Sequence, residues 1–413
     1  MLKINSDRFL QSLRDLSTIG ATPEGGVTRY ALTDIDWQAR EWLKQQAASY
    51  GFTSHLDAAG NLFIYDPEID VASPPVLVGS HVDTVPNGGR YDGALGVLAG
   101  LESLISLKEA GAPLARPVKL AVWTEEEGSR FRGGLVGSRA FIGEVPEVEL
   151  NDTDAQGVTL AEALRQWGLQ PEELPQVASK PGQVHAYVEL HIEQGAKLDF
   201  ANEQIGVVTG IVGIRRYDVV VMGQANHAGT TPMDMRRDAL VAAAQMILAV
   251  EQTVKKSQYT EAVGTVGRIN VEPGGVNVIP GKVEFSLEIR DLDIAAMDAL
   301  SEQILQQLQE IALVRGVEVS FEHTAEVKPA PLAPAVQQII SSVAEDLGYS
   351  WRQMPSGAGH DAQHLARICP TGMIFVPSVK GISHSPQEFT PDEDCVRGAN
   401  VLLNTILRLA GSL

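Results

Sequence analysis

Histidine and acidic side chains follow four short apolar segments that are typical of buried β-strands. The four segments are VLVGS (76–80), VKLAVW (118–123), AYVEL (186–190) and MIFVP (373–377). The side chains that follow them are, in the same order, His81 with Asp83, then Glu125, Glu126 and Glu127, then His191, and finally His384. In an open α/β sheet, ligands bind beyond the carboxyl ends of the strands. The sequence therefore predicts one site in which these side chains meet.

A site built from histidines and carboxylates, without cysteine, suits a divalent metal ion. Zinc is the expected ion, and manganese, cobalt or nickel would accept similar ligands. Asp83 lies two residues after His81, so its carboxylate could accept the second imidazole N–H and fix the tautomer. Asp92, in the glycine-rich turn GGRYDGALG, could bridge two ions about 3.5 to 4 Å apart. These residue types thus allow a two-ion centre.

Glu126 and Glu127 are adjacent and would point in different directions from the end of their strand. One of them can bind metal while the other faces the attacking water as a general base. Their spacing alone leaves open which glutamate has which role.

A second pair of histidines competes with the strand-end site. His360 and His364 are four residues apart in HDAQH, which on a helix would resemble the zinc motif HExxH with aspartate in place of glutamate. The preceding segment, PSGAG, favours a loop and would delay the start of a helix. Because aspartate is also one methylene short of the usual base, we favour the strand-end site.

Helical patterns alternate with the predicted strands, which indicates a mixed α/β fold. Helices are expected over residues 34–50 and 94–110, each followed by glycine, and over about 393–410. From about residue 210 to 326 the pattern becomes βαββαβ, the order of a ferredoxin-like domain. We therefore expect a discontinuous catalytic domain, 1–209 and 327–413, that is interrupted by an insert at 210–326.

The composition argues against several classes of function. The 413 residues carry 32 Lys and Arg against 52 Asp and Glu, a formal charge of −20. Nucleic acids and anionic membranes need clustered basic residues, so neither is an expected partner. The two cysteines, Cys369 and Cys395, provide no disulfide framework. With no secretory leader or membrane-spanning run evident, the cytoplasm is the expected location.

Seven motifs resemble one known family. They are, in chain order, GSHVDTVPNGGRYDGALGV, TEEEGSRF, VELHIEQG, GQANHAGTTPMDMRRDA, GGVNVIPG, SGAGHDAQ and GISHSPQE. Together they resemble the amidase/hydantoinase/carbamoylase branch of the M20 metallopeptidase superfamily, which includes N-carbamoyl-L-amino acid hydrolases and allantoate amidohydrolases. Peptidases of the superfamily usually carry a carboxylate at the position of His191, so this histidine favours the carbamoylase branch.

The resemblance implies a role for each residue of the predicted centre. Two divalent metal ions per chain would share Asp92 as a bridging ligand. The first ion would be held by His81, Asp92 and His191, and the second by Asp92, Glu127 and His384. Glu126 would be the general base, and Asp83 would orient His81.

The insert would be a lid through which the chain forms a homodimer. His227, in NHAGTTP, would reach the active site of the partner subunit and stabilise the oxyanion. The expected substrate-binding residues are Gln194, Asn277, Arg290 and Gly359. An ordinary ion pair of Arg290 with Asp291 or Asp293 is the structural alternative.

The reaction implied is hydrolysis of the ureido C–N bond of a small N-carbamoyl-L-amino acid, which gives the L-amino acid, carbon dioxide and ammonia. Allantoate and β-ureidopropionate are alternative substrates. Peptidase or aminoacylase activity, or metal binding without catalysis, is less favoured.

Overall fold

A computed structural model describes residues 1–69 and 73–411. The chain divides into two compact units, one formed by Met1–Thr209 with Pro331–Leu413 and the other by Gly210–Ala330. Among the described residues, no helix combines the length and the apolar character needed to cross a membrane.

Helices and strands alternate along much of the chain. The helices are α1 (Ser6–Thr18), α2 (Asp34–Ser49), α3 (Ala94–Glu109), α4 (Val136–Phe141), α5 (Leu160–Gln166), α6 (Lys197–Ala201), α7 (Ala239–Lys256), α8 (Ile294–Arg315), α9 (Pro334–Asp346), α10 (Ala362–Leu365) and α11 (Asp392–Ala410). The strands are β1 (Thr53–Leu56), β2 (Leu62–Tyr65), β3 (Val76–His81), β4 (Val118–Trp123), β5 (Ala186–Ile192), β6 (Ile205–Ile211), β7 (Gly213–Met222), β8 (Asn226–His227), β9 (Val263–Thr265), β10 (Ile269–Glu272), β11 (Val278–Ile279), β12 (Lys282–Asp291), β13 (Glu318–Val327), β14 (Ala330–Pro331), β15 (Trp351–Ser356) and β16 (Thr371–Val376).

The first unit contains a mixed sheet, which confirms the predicted fold class. Its strand order is β1-β2-β4-β3-β5-β16-β6-β14, and β15 pairs with β6. The four central strands β4, β3, β5 and β16 are parallel to one another, whereas β2 and β6 run antiparallel to their neighbours β4 and β16. The four central strands are those expected from the apolar segments of the sequence. Because they are parallel, their carboxyl ends lie along one edge of the sheet.

Helix α3 packs against this sheet along most of its length and carries the site's glycine-rich turn at its start. Its residues from Ala94 to Leu107 are all buried, so this part of the helix has no solvent-exposed face. Gly96 and Gly100 allow the close approach, since a Cβ on Gly96 would lie 2.2 Å from the Leu190 carbonyl oxygen and one on Gly100 would lie 2.7 Å from Leu120. Close packing of α3 therefore fixes the turn beside the carboxyl ends of the strands.

The second unit is an antiparallel sheet with two helices. Its strand order is β10-β12-β7-β13, and the short β9 also pairs with β12. Along β12, buried residues alternate with half-buried ones, so one face of the sheet packs in the core and the other is more open. Residues of α7 and α8 supply the rest of this core. A small separate ladder joins β8 to β11.

Candidate active site

The loops that leave the central strands contain unusual backbone conformations. Glu125, Gln194 and His384 have φ angles of +54°, +56° and +54°, in the left-handed region that side-chain-bearing residues rarely adopt. Such residues are enriched at functional sites, where the surrounding structure holds them in place. All three belong to segments in which the sequence places candidate site residues.

The first cluster contains His81, Asp92 and His191. The Nε2 atoms of His81 and His191 lie 3.5 and 3.1 Å from Asp92 Oδ1. Both histidines are 1% exposed and Asp92 is 5% exposed. Each residue offers one potential ligand atom, and these atoms all lie within 4.8 Å of one another. This group is the predicted ligand set of the first ion.

The second cluster uses the other oxygen of the same aspartate. His384 Nε2 lies 3.5 Å from Asp92 Oδ2 and 3.4 Å from Glu127 Oε2. Asp92, Glu127 and His384 also form a group whose potential ligand atoms lie within 4.8 Å of one another. Asp92 therefore presents one oxygen to each cluster, as a carboxylate bridging two ions would.

The tautomers of the two buried histidines suit metal binding. His81 Nδ1 lies 3.0 Å from the main-chain oxygen of Asp83, and His191 Nδ1 lies 2.9 Å from that of Ile192. A carbonyl oxygen only accepts, so each Nδ1 carries the proton in the neutral ring. Each Nε2 then offers its lone pair towards Asp92. Donation from the distal ring nitrogen to a carbonyl is the usual way in which proteins fix a metal-binding histidine.

The electrostatics of the clusters also favour a cation. Burial lowers the pKa of a histidine, yet the carboxylates of Glu126, Asp92 and Asp83 outweigh this effect and raise the pKa of His81 well above its usual value. Burial, followed by repulsion from Asp92, raises the pKa of Glu127 to about 7. Divalent ions would relieve this crowding of negative charge. The donor set, the tautomers and the charge thus all fit a metal centre.

Asp83 contacts its neighbours differently from the expectation. Its main-chain oxygen takes the His81 hydrogen bond, and its carboxylate Oδ1 is 3.7 Å from the ring nitrogen. The carboxylate instead accepts the backbone N–H groups of Glu126 and Glu127, at 3.3 and 3.1 Å. The Asp83 carboxylate therefore does not take the hydrogen bond that was expected from His81. The side chain orients the turn that carries the two glutamates.

The two adjacent glutamates face different clusters. Glu126 Oε2 lies 3.7 Å from His81 Nε2, whereas Glu127 Oε2 approaches His384. Burial and repulsion from Glu127 raise the pKa of Glu126 well above its usual value. Glu126 is thus a carboxyl group beside the first cluster, with a side chain that is 10% exposed, where a proton acceptor for an attacking water would be useful.

Two of the predicted substrate-binding residues lie in the first unit. Gln194 Nε2 donates to Asp92 Oδ2 at 2.8 Å and lies 3.4 Å from His384 Nε2. Its Oε1 is buried and has no hydrogen-bond partner among the described residues. Gly359 is exposed and lies in the loop between β15 and α10. Gln194 therefore contacts two residues of the second cluster, and Gly359 lies in the loop that leads to His360.

The HDAQH segment does not form the helix that a zinc motif of this kind needs. Helix α10 begins at Ala362, after His360, and ends at Leu365. His360 groups with Glu189 and His191, but no group of three potential metal ligands among the described residues includes His364. The structure thus separates the two histidines, as the glycine-rich loop suggests.

The remaining predicted residues, His227, Asn277 and Arg290, lie in the second unit. Strand β8 pairs His227 with Val278, and the main-chain oxygen of Asn277 accepts the N–H of Ala228. His227 Nδ1 accepts the N–H of Gly229 at 2.9 Å, so the neutral ring carries its proton on Nε2. His227 is exposed, and this Nε2–H is suited to donate to an oxyanion.

Arg290 makes an ion pair that the sequence analysis did not anticipate. Its Nε donates to Glu288 Oε1 at 2.7 Å. Glu288 lies two residues earlier on β12 and therefore on the same face, whereas Asp291 points to the other face. The alternation of side chains along a strand explains the choice of partner.

Sequence reasoning missed two buried glutamates next to the clusters, Glu189 and Glu388. Glu189 accepts hydrogen bonds from Ser80 Oγ at 2.7 Å, from Tyr187 OH at 3.2 Å and from the backbone N–H of Ala362 at 3.1 Å. It therefore joins residues beside His81 to the start of α10. A glutamate within an otherwise apolar strand, as in AYVEL, was the available signal.

The fold and this site, together with the relatives described below, define a hydrolase that acts on C–N bonds. Residues 77–408 match peptidase family M20/M25/M40, and the chain belongs to this family. Within the family it lies in the hydantoinase/carbamoylase branch of amidases.

Similar proteins match over nearly the whole chain. An N-carbamoyl-L-amino acid amidohydrolase of Geobacillus stearothermophilus is 44% identical over 407 residues, which covers 98% of this chain and 99% of the relative. An allantoate amidohydrolase of Escherichia coli K12 is 36% identical, with 97% of each chain covered. The crystal structure of an amidase of the hydantoinase/carbamoylase family from Burkholderia multivorans is 39% identical, with a TM-score of 0.93 and coverage of 100% of this chain and 99% of that one.

Proposed function

We propose that this protein hydrolyses the ureido C–N bond of N-carbamoyl-L-amino acids with the help of two divalent metal ions, zinc being the preferred candidate. The observation that carries the proposal is the position of Asp92, whose two oxygens face two separate clusters of potential ligands. Four carbamoylase relatives, at 37–44% identity, support the substrate class. The ligands would be His81, Asp92 and His191 for one ion and Asp92, Glu127 and His384 for the other.

When bound, such ions lower the pKa of water to about 7 and polarise the carbonyl group of a substrate. Glu126 would take a proton from the attacking water as a new C–O bond forms at the carbamoyl carbon. It would then return that proton to the leaving nitrogen as the C–N bond breaks. The products are the L-amino acid and carbamate, which decomposes to carbon dioxide and ammonia.

The second unit would act as a lid and as the dimerisation domain. The Nε2–H of His227 would donate to the developing oxyanion in the active site of the partner subunit. In a protein of charge −20, an anionic substrate needs local donors. Arg290 and Asn277, together with Gln194, would bind its carboxylate, and Gly359 would also contact the substrate.

The cellular setting proposed is the cytoplasm, with a small-molecule substrate and no nucleic-acid or membrane partner. Cys369 and Cys395 are both buried and unpaired. Unpaired thiols suit a reducing compartment.

A second candidate is the hydrolysis of allantoate. The allantoate amidohydrolase of Escherichia coli, at 36% identity over 97% of each chain, favours it. Both reactions break a ureido C–N bond, so the same metal centre and the same base would serve either substrate.

The decisive experiment is ammonia release from N-carbamoyl-L-amino acids, N-carbamoyl-β-alanine and allantoate, using zinc-loaded enzyme and Glu126→Gln as the blank. Preferential turnover of an N-carbamoyl-L-amino acid supports the proposal, and preferential turnover of allantoate supports the second candidate. If enzyme with two bound ions releases no ammonia from any of these compounds, the proposed reaction is wrong.

A further inference from the structure

Glu388 is a buried glutamate that contacts the main chain of the bridging aspartate. It belongs to the motif GISHSPQE and is 2% exposed. Its Oε1 accepts the backbone N–H groups of Tyr91 and Asp92, at 3.0 and 3.1 Å. Two amide hydrogen bonds to one carboxylate oxygen restrict the main chain of the turn that holds Asp92.

The other oxygen of Glu388 is linked to the side chain of the same aspartate. Ser383 Oγ lies 2.9 Å from Glu388 Oε2 and 3.1 Å from Asp92 Oδ2. The hydroxyl has one proton, which it can donate to either carboxylate. Ser383 therefore connects Glu388 to the Asp92 oxygen that faces Glu127 and His384.

The turn beside Asp92 leaves space for the Glu388 carboxylate. A Cβ built on Gly89 would lie 1.9 Å from Glu388 Oε1, so a side chain at this position would displace the carboxylate. The same glutamate is also fixed relative to His384, because its backbone N–H donates to the main-chain oxygen of Ser385, the next residue after His384, at 3.0 Å. Glu388 thus joins the Asp92 turn to the His384 loop, although nearly 300 residues separate them in sequence.

We infer that Glu388 is a positioning residue, which holds Asp92 and the His384 loop in the one arrangement that lets both bind the second metal ion. This inference rests on the metal centre of the proposed function and deepens it. Partners of metal ligands typically contribute about 10- to 100-fold to metal affinity. Loss of Glu388 should therefore weaken binding of the second ion by about that factor and binding of the first ion by less.

The test compares zinc binding by wild type, Glu388→Ala, Glu388→Gln and Ser383→Ala, measured by competition with a chromophoric chelator. Glu388→Gln keeps an oxygen for the two amide N–H groups, and its NH₂ can donate to Ser383, so it should bind zinc nearly as wild type does. Ser383→Ala removes only the link to the Asp92 side chain, so its effect should be intermediate.

Glu102→Ala provides a matched control. Glu102 is a glutamate of α3 that is 3% exposed. Like Glu388, it accepts hydrogen bonds from a backbone N–H group, that of Asn5, and from a hydroxyl group, that of Ser106. Its loss should lower the thermal stability of chelator-treated protein and leave both zinc affinities unchanged. If Glu388 had only a structural role, Glu388→Ala would likewise lower the thermal stability and leave both zinc affinities unchanged.

The expected result is two zinc ions per wild-type chain and selective weakening of one of them in Glu388→Ala, with rescue by Glu388→Gln. Equal affinities in wild type and Glu388→Ala would overturn the inference. Equal weakening by Glu388→Gln and Glu388→Ala would do the same, as would fewer than two zinc ions in wild type. If the zinc results hold but no ureido compound is hydrolysed, the inference stands and the proposed reaction fails.

Discussion

Gly93 packs directly against the imidazole ring of His81. A Cβ built on Gly93 would come within 2.5 Å of the ring atoms Cε1 and Nε2. Gly93 also has φ and ψ angles of +62° and −49°, a combination that residues with a side chain rarely adopt. The residue after Asp92 must therefore lack a side chain for two separate reasons, the backbone conformation and the space that the His81 ring occupies.

Replacing Gly93 by alanine should displace His81 and weaken zinc binding at the first cluster by at least about tenfold. The unusual backbone conformation alone would cost about 1 to 3 kcal/mol of folding stability. Gly111→Ala is the matched control, since Gly111 has a φ of +56° but a Cβ built there would meet nothing within 4 Å. Zinc affinity measured by chelator competition should fall only in Gly93→Ala. Equal affinities in the two variants would contradict the packing argument.

Replacing Glu126 by glutamine should reduce turnover of the best ureido substrate by about 100- to 10,000-fold, because the amide cannot accept the proton of the attacking water. Zinc content should stay at two ions per chain, since Glu126 is not among the proposed ligands. Glu127→Gln is the informative comparison: it should lose zinc from the second cluster along with activity. A Glu126→Gln enzyme with most of its activity would remove this residue from its proposed role.

The parallel sheet explains how much of the site could be predicted. The segment 186–190 was expected to be a strand that leads to His191, and β5 spans Ala186–Ile192. Because β3, β4, β5 and β16 are parallel, the residues at their carboxyl ends are neighbours in space whatever their separation in sequence. Strand patterns and the residues that follow them are local properties, so they can be read without a structure.

Contacts made through the main chain could not be predicted in this way. The Asp83 carboxylate was expected at His81 but accepts two backbone N–H groups from the Glu126 turn. Glu388 reaches the amides of Tyr91 and Asp92 across nearly 300 residues. Every residue except proline offers an amide N–H, so no side-chain pattern marks the partner of such a bond. The clustered histidines and carboxylates were thus visible in the sequence, whereas the residues that hold them in place were not.

Mixing two inactive variants should restore activity if each active site uses His227 from the other subunit. A heterodimer of a His227→Ala chain with a Glu126→Ala chain contains one site with both residues intact. Heterodimers purified with two different affinity tags should therefore show about half of the wild-type activity per dimer, one of two sites being complete. Ammonia release is the measurement.

The control for this mixing experiment pairs the His227→Ala chain with a chain that carries both substitutions. This heterodimer has no complete site under any arrangement, so it should be inactive. Absence of recovery in the first heterodimer, once its composition is verified, would show that His227 does not act across the interface.

His364 should make the folded protein sensitive to acid. Burial, with smaller contributions from Arg139 and Arg367, lowers its pKa to about 3, against about 6.5 in an unfolded chain. Between these values the unfolded chain binds a proton that the folded chain does not. The stability that neutral His364 provides is therefore complete above about pH 6.5 and is lost progressively as the pH falls towards 3.

At pH 5, which is about 1.5 units below the pKa of histidine in the unfolded chain, this one histidine should lower the free energy of unfolding by about 2 kcal/mol. Urea denaturation of His364→Gln should therefore show a smaller drop in stability between pH 7.5 and pH 5 than wild type does, by up to about that amount. His323→Gln serves as the control, because the His323 side chain is 43% exposed and has no such burial. If His364→Gln and wild type lose the same stability over this range, the folded protein must protonate His364 at an ordinary pH. The ring would then have to be solvated or paired with an acid. That would conflict with the structure, in which His364 Nδ1 is buried and has no hydrogen-bond partner among the described residues.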